Sequence, residues 1–196
     1  FDDNDRAFSQ RYTDGRTTNL ESSTNDTVLL LASGASTVAV TAETEDAFGK
    51  LLGETCSTLA RSIPADGEGA THLITIHVRG CRTRDDARKI AHTVADSPLV
   101  KTAIAGADPN WGRIVSAAGY ADVPFNPAGL ELRLNGHLLF AALRPTDFPE
   151  SEISSSIRSA KEVIIDLSFS EGDADARFWT TDLTTEYVRL NADYRT

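Results

Sequence analysis

LELRLNGHLLFAA, residues 130–142, decides the fold class. Two apolar runs, 130–134 and 138–142, flank the dipeptide Asn135-Gly136. This dipeptide is the strongest short signal for a hairpin, because a two-residue turn of this kind needs positive φ at both positions. Outward from the hairpin, helices and strands also alternate over longer range. The sequence therefore predicts an α+β layered fold rather than a purely parallel wrap.

The N-terminal half of the chain predicts alternating helices and strands. The apolar run 28–32, closed by a turn, is typical of a strand buried on both faces. Thr44 is placed to cap an amphipathic helix, and Gly49 and Gly53 inside that helix indicate close packing against a neighbour. The further predicted elements are a strand at 73–78, a helix from Thr83 to about Asp96, a strand at 99–104 and a helix at 111–120.

Beyond the hairpin, the pattern predicts a helix at 150–161 and a strand at 163–169. A second strand, at 177–183, is expected to pair back onto it after the turn at 171–173. The tail 187–196 carries two tyrosines and alternates apolar with polar residues, unlike a solvated terminus. We expect it to dock on the domain.

Composition excludes several classes of function. The 196 residues carry 19 Lys plus Arg and 29 Asp plus Glu, a net charge of −10, which repels phosphate backbones and anionic lipid. The apolar runs fall far short of the roughly 20 residues of a membrane-spanning helix. Cys56 and Cys81 show no C-x-x-C spacing, which favours a reducing cytoplasm. Because the chain contains no Met, we expect a processed product, a fragment or an incomplete record.

The candidate chemistry centres on one loop. Glu68 lies between Gly67 and Gly69, and glycines allow a ligand to approach such a loop closely. A carboxylate held there suits an amine substrate, while the alternative is an ordinary polar turn between helix and strand. His72 follows this loop and is the least ordinary of the four histidines. No spacing of His and Cys predicts a zinc site, and no phosphate loop or dinucleotide fingerprint occurs.

Five segments stand out together in the sequence. They are STNDT at 23–27, DGEGAT at 66–71, SPLVKTA at 97–103, DPNWGR at 108–113 and the tail around Asn191. In this order they resemble the ornithine acetyltransferase family, which are bifunctional enzymes of arginine biosynthesis. The match runs from about Ser23 to Thr196. Residues 1–22 do not resemble the family, which indicates an atypical N-terminal segment ahead of a β-chain-like acetyltransferase domain at 23–196.

The resemblance implies a precursor that cuts itself before a threonine into an α chain and a β chain. This chain is similar to most of the β chain. The new N-terminal threonine is then the nucleophile that moves acetyl from N-acetylornithine, or from acetyl-CoA as a co-substrate, to glutamate. No catalytic residue of that kind lies in these 196 residues, so we expect the chain alone to be inactive. No other cofactor is implied.

The resemblance also implies a site and an assembly. Glu68, Asn191 and Thr196 match substrate-binding positions of the family. The implied fold is a layered αββα-type sandwich that is incomplete without the α chain. The implied assembly is a heterotetramer of two α and two β chains, in the cytoplasm.

The sequence departs from the family at two edges of the implied site. His72 stands where the family usually has Lys, and Arg195 where it usually has Thr. An alternative to the enzyme is therefore a noncatalytic remnant of the fold that binds an amino acid or nothing. A self-processing aminopeptidase-like hydrolase is a third possibility, but it would not share the segment at 108–113 or the tail.

Overall fold

The structure is a computed structural model that describes residue 35 and residues 39–193. The strand predicted at 28–32, the segment 23–27, Thr196 and Arg195 lie outside the described residues. None of the helices in the described part is both long and apolar enough to cross a membrane.

The described chain contains six α-helices and six strands, with a 3₁₀ turn at Pro127–Gly129. The helices are α1 (Glu45–Ala65), α2 (Arg84–Ala95), α3 (Pro98–Ala105), α4 (Trp111–Gly119), α5 (Glu150–Ser159) and α6 (Thr185–Asp193). The strands are β1 (Leu73–Cys81), β2 (Glu131–Leu134), β3 (His137–Ala141), β4 (Arg144–Pro145), β5 (Glu162–Ser168) and β6 (Ala174–Thr181).

The six strands form one mixed sheet in the order β4-β3-β2-β5-β1-β6. The two central strands, β5 and β1, run parallel, with Leu73 opposite Glu162. The other neighbouring pairs are antiparallel. The α+β class expected from the sequence is therefore confirmed.

The two faces of the sheet are covered differently. Residues Ile74, Ile76 and Val78 of β1 alternate into the main core, which they share with apolar residues of α2, α3, α4 and α5. The intervening residues point to the opposite face, where α1 lies. There the Arg61 guanidinium of α1 contacts the Glu162 carboxylate of β5 at 2.6 Å. The central strands thus have a well-packed face and a more polar one.

Caps and turns follow the sequence closely. The Thr83 hydroxyl accepts a hydrogen bond from the Asp86 amide at the start of α2, as an N-cap does. Asn135 and Gly136 have φ of 48° and 84° in the turn between β2 and β3. The hairpin, the helix after Thr83 and the helix after Thr44 are confirmed, although the Thr44 side chain makes no cap hydrogen bond.

The strand predicted at 99–104 is wrong, because this segment is helix α3. Ser97 caps the helix by accepting from the Val100 amide at 3.4 Å, and Pro98 occupies its first turn. Proline there has its φ already set for a helix and loses no hydrogen bond. The apolar residues Val100, Ala103 and Ile104 are spaced for one buried helix face, and this outweighs the strand-like composition.

The predicted pairing of the last strand is also wrong. Strand β6 does not pair with β5 but lies antiparallel to β1, with Thr75 opposite Trp179. Strand β1 is inserted between the two, so the chain from β5 to β6 crosses over it. The prediction assumed that neighbours in sequence are neighbours in the sheet, which is a tendency and not a rule.

Helix α1 is amphipathic, yet part of its apolar stripe faces solvent. Phe48, Leu51 and Leu59 are 43%, 64% and 55% exposed. Nothing lies within 4 Å of a Cβ placed on Gly49 or Gly53, so the close neighbour predicted from these glycines is not among the described residues. The described residues also form a single sheet, and the second sheet of the expected sandwich is not among them.

Candidate functional site

The loop between α1 and β1 carries Glu68 and is held by close contacts on both sides of it. A Cβ on Gly67 would lie 2.6 Å from the Thr181 Cγ2 at the end of β6. A Cβ on Gly69, whose φ is +69°, would lie 2.6 Å from the Tyr187 amide nitrogen. A side chain at Gly69 is excluded because it would meet backbone, and a side chain at Gly67 would require the Thr181 side chain to move. The Glu68 side chain itself is exposed between these two anchors.

The same loop is joined to the beginning of the tail helix α6. The Thr184 hydroxyl donates to the Gly69 carbonyl at 2.6 Å and accepts from the Tyr187 amide at 3.1 Å. Asn191 lies one turn further along α6, and its side-chain amide donates to the Tyr187 carbonyl at 3.0 Å. The structure thus brings the Glu68 loop against the helix that carries Asn191.

A buried polar network anchors the other end of the loop. Asp182, which follows β6, is fully buried. It accepts from the Thr71 amide at 2.9 Å and from the Thr71 hydroxyl at 2.5 Å. Its Oδ2 is also 2.7 Å from the Nδ1 of His72, a residue that is only 8% exposed. The His72 Nε2 lies 3.1 Å from the Ile157 carbonyl oxygen of α5.

A second buried charge lies on the core side of the same sheet end. Lys101 of α3 is 1% exposed, and its ammonium donates to the Thr180 hydroxyl at 3.4 Å, among other contacts. The Leu183 amide donates to the Lys101 backbone carbonyl at 3.4 Å. The C-terminal end of β6 is therefore flanked by buried Lys101 and buried Asp182.

Sequence reasoning located Glu68 and Asn191 but missed Asp182. Thr196 lies outside the described residues, so the roles of Glu68, Asn191 and Thr196 as substrate contacts stay predictions. Asp182 is separated from His72 by 110 residues in sequence, and no local pattern links them. The signal that could have drawn attention to it is an acidic residue directly after the end of a strand.

The segment 108–113 serves the packing of the core in this structure. The Trp111 ring is stacked on Phe140, with centroids 5.4 Å apart. The Arg113 guanidinium donates to the Leu99 carbonyl at 3.0 Å and so ties α4 to α3. The Asn110 side chain caps α4 by accepting from the Arg113 amide. The segment is therefore a packed corner between α3 and α4.

Other reactive groups offer little chemistry. Both cysteines are buried free thiols. Burial, together with the charges of Asp86 and Glu171, raises the pKa of Cys81 to about 11, so this thiol is a poor nucleophile at neutral pH. Within residue 35 and residues 39–193, no group of three or more His, Cys, Asp or Glu side chains could hold a metal ion.

A surface groove of about 360 Å³ lies between α2 and α4. Its lining residues are His92, Thr93, Asp96, Ser97, Ala117 and Tyr120. Of the predicted substrate contacts in the described part of the chain, neither Glu68 nor Asn191 is among them.

Comparison with known proteins gives the chain a family. The ArgJ family model matches residues 3–196. The chain is 40% identical over 195 residues to the arginine biosynthesis bifunctional protein ArgJ of Geobacillus stearothermophilus, covering 98% of this chain and 46% of that protein. It is 43% identical over 202 residues to the chloroplastic ArgJ of Citrullus lanatus, covering 98% and 43%.

Two further proteins extend the comparison. The glutamate N-acetyltransferase of Methanopyrus kandleri is 44% identical over 180 residues, covering 90% of this chain and 46% of that protein. The crystal structure of ArgJ from Bacillus halodurans superposes with a TM-score of 0.84 at 38% identity, covering 91% of this chain and 85% of that chain. The chain thus spans about half the length of the curated relatives it matches. Because the match covers residues 3–196 and the fold is shared with an ArgJ crystal structure, the chain belongs to the ArgJ family.

Proposed function

We propose that this chain is the β chain of an ornithine acetyltransferase, which moves acetyl from N-acetylornithine to glutamate. The observation that carries the proposal is the loop of Glu68, fixed against the tail helix in a chain of the ArgJ family. An exposed carboxylate on a rigid loop is suited to bind the ammonium group of an amino acid. Asn191 and Thr196 are the further proposed contacts, through an amide and a hydroxyl.

The proposed reaction has two steps through a threonine that is not among these 196 residues. Its hydroxyl attacks the acetyl carbonyl of N-acetylornithine, with its own α-amine as the base. The amide bond breaks, ornithine leaves with the proton, and an acetyl ester of threonine remains. The amine of glutamate then attacks this ester, which forms N-acetylglutamate and restores the hydroxyl. Acetyl-CoA would serve the first step equally well as an acetyl donor.

An α chain is the proposed partner, in a heterotetramer of two α and two β chains. The apolar stripe of α1 supports this, because Phe48, Leu51 and Leu59 are exposed on an amphipathic helix. The lengths of the matched proteins also support an α chain as the partner. The superposition covers 85% of the solved ArgJ chain, whereas the curated relatives are covered over less than half of their length. The missing half of the αββα sandwich would lie with that partner.

The remaining proposals concern compartment and the N-terminal segment. Two free thiols without a disulfide support a reducing compartment such as the cytoplasm. One relative is named as chloroplastic, and that statement concerns the relative alone. The family model matches residues 3–196 and so includes most of residues 1–22, and any atypical feature proposed for this segment lies within that match. Resequencing the coding region upstream of Ser23 checks it.

The test of the function is expression of this chain together with the complete upstream coding region. We expect acetyl transfer from N-acetylornithine to glutamate with ping-pong kinetics, and none from the 196 residues alone. No transfer by an intact, processed protein would refute the proposal. Binding of ornithine without any transfer would instead support the noncatalytic remnant.

A further inference from the structure

We propose that Asp182 is a positioning residue, which fixes the 66–72 loop through Thr71 and His72 and so holds Glu68 toward the amino-acid substrate. This inference rests on the proposed function for its substrate. It concerns a residue that touches neither the reacting atoms nor the proposed substrate contacts.

His72 ties the loop to two other parts of the fold. Nδ1 lies 2.7 Å from a carboxylate oxygen of Asp182 and 2.8 Å from the Thr71 hydroxyl, and Nε2 lies 3.1 Å from the carbonyl oxygen of Ile157. The side chains of His72 and Asp182 are 9% and 0% exposed, so this network is largely removed from water.

Asp182 is bonded to the loop at more than one atom. Oδ1 accepts from the Thr71 amide, while Oδ2 accepts from the Thr71 hydroxyl and the His72 ring. In turn, the Asp182 amide donates to the His72 carbonyl at 3.2 Å. Because both oxygens of the Asp182 carboxylate are hydrogen-bonded, its orientation is fixed. The conformation of the loop backbone bonded to it is therefore fixed as well.

Glu68 is three residues before Thr71, between glycines that contact Thr181 and Tyr187. Glycine backbone is free to take many conformations unless its surroundings fix it. The loop therefore depends on its anchors, which are Asp182 at one end and Thr184 at the other. Without the Asp182 anchor, the Glu68 carboxylate is still present but takes up several positions. Substrate binding is therefore weakened more than the chemical step.

The test uses the complete processed protein and steady-state kinetics with N-acetylornithine. Asp182→Ala is expected to raise KM roughly 10- to 100-fold, the effect of losing hydrogen bonds to a charged group. The value of kcat should change little. Asp182→Asn should have a smaller effect, because its side-chain oxygen can still accept from the Thr71 amide and its side-chain NH2 can donate to the Thr71 hydroxyl oxygen.

The chain offers a matched control in a second histidine–aspartate pair. His77 Nδ1 lies 3.1 Å from Asp166 Oδ1 in the middle of the sheet, away from the loop. Asp166 is 19% exposed and is also paired with Arg79 at 3.0 Å. Asp166→Ala therefore removes the carboxylate of a less buried histidine–aspartate pair and should leave KM unchanged. A rise in KM of equal size in both variants would show a general loss of stability and overturn the proposal.

A double-mutant cycle separates positioning from a direct effect. If Asp182 acts through Glu68, then Asp182→Ala should raise the KM of the Glu68→Gln protein much less than it raises the KM of wild type. Effects that multiply independently would contradict the proposal, as would an unchanged KM in a folded Asp182→Ala protein.

Hydrogen exchange gives a readout that does not need the reaction. The backbone amides of 67–72 should exchange at least about tenfold faster in Asp182→Ala than in Asp166→Ala, because the Thr71 amide loses its acceptor. If wild type transfers no acetyl, the proposed function fails, and exchange still decides whether Asp182 fixes the loop. Equal exchange in the two variants would refute that.

Discussion

Gly69 and Gly136 share an unusual backbone angle but have opposite surroundings. Both have positive φ, at 69° and 84°. Nothing lies within 4 Å of a Cβ on Gly136, whereas a Cβ on Gly69 would meet the backbone of Tyr187. At the scale of single residues, this contrast separates the cost of the backbone angle from the cost of a steric contact.

Gly69→Ala should therefore destabilise the protein more than Gly136→Ala. The latter should cost about 1 kcal/mol in free energy of unfolding, from the left-handed backbone alone. The former adds a clash with backbone, which must push α6 away from the loop. Urea unfolding measures the difference, and protease sensitivity of residues 185–193 shows whether α6 has moved. Equal losses in the two variants would mean that the contact with Tyr187 is unimportant.

The sequence was informative about Glu68 for a physical reason. Glycines on both sides of a charged residue indicate a loop that lies close to its neighbours. In the structure, a Cβ on Gly67 would meet the Thr181 side chain and a Cβ on Gly69 would meet the Tyr187 backbone. Asp182 could not be found in this way. Its importance comes from contacts across more than a hundred residues, which no local spacing records.

At the scale of elements, the turn between β3 and β4 carries avoidable strain. Ala142 and Leu143 have φ of 50° and 64°, although a two-residue hairpin with positive φ at both positions favours Asn-Gly. Both side chains are exposed, and Leu143 is 61% exposed. The neighbouring hairpin already has Asn135-Gly136 in the same kind of turn.

Replacing Ala142→Asn and Leu143→Gly together should raise the free energy of unfolding by about 1 kcal/mol. The gain is relief of left-handed strain, partly offset by the greater freedom of glycine in the unfolded chain. Thermal unfolding against wild type measures it. A lower melting temperature would show that the Leu143 side chain makes a favourable contact that the exposed position conceals.

The link between α1 and the sheet should depend on pH. Burial works to raise the pKa of Glu162, but hydrogen bonds from Thr75 and Arg61, with the charges of Arg61 and His77, outweigh it and lower the pKa below 4.5. The ionised carboxylate is thus favoured in the folded state. Its contribution is complete above the unfolded value of 4.5 and is lost as pH falls through the lower folded value.

Glu162→Gln should consequently destabilise the protein at pH 7, and the difference from wild type should shrink as the pH falls below 4.5 through the lower folded value. Denaturant unfolding at several pH values measures this difference. Glu131→Gln is the control, because it removes the ion pair between Glu131 and Arg133, which is longer, at 3.6 Å, and more exposed. A Glu162→Gln effect that is independent of pH would assign the loss to packing rather than charge.

Helix α3 shows why element type can be misjudged from composition. Its residues are rich in Val, Ile and Thr, which favour strands, but Ser97 and Pro98 before them are strong signals for a helix start. The cap, the proline and the burial of one face together decide the outcome. For α2 and the β2–β3 hairpin, local signals and tertiary packing agree, and the predictions were correct.

At the scale of the whole molecule, the order of the strands in the sheet could not be predicted from the sequence. Strand β1 lies between β5 and β6, which follow it by more than 80 residues. Such an arrangement is decided by which apolar faces can be covered together, and not by local turns. The exposed stripe of α1 belongs to the same scale, because the described residues leave Phe48, Leu51 and Leu59 exposed.

Leu51→Glu should weaken co-purification of this chain with the upstream chain. A charge would replace an apolar side chain, now 64% exposed, on the surface proposed to be covered. The neighbouring exposed Lys50→Ala should have little effect. Measurement is by affinity capture after co-expression. Equal recovery of the upstream chain with both variants would place the partner elsewhere.

The central claim is that the loop of Glu68 forms part of an amino-acid site. Its most direct test compares Glu68→Gln with Asp66→Asn in the complete processed protein, because both remove an exposed carboxylate from the same loop. Glu68→Gln should raise KM for N-acetylornithine roughly 10- to 100-fold, while Asp66→Asn should leave it within about twofold. Unchanged KM in both variants, or an equal rise in both, would contradict the claim.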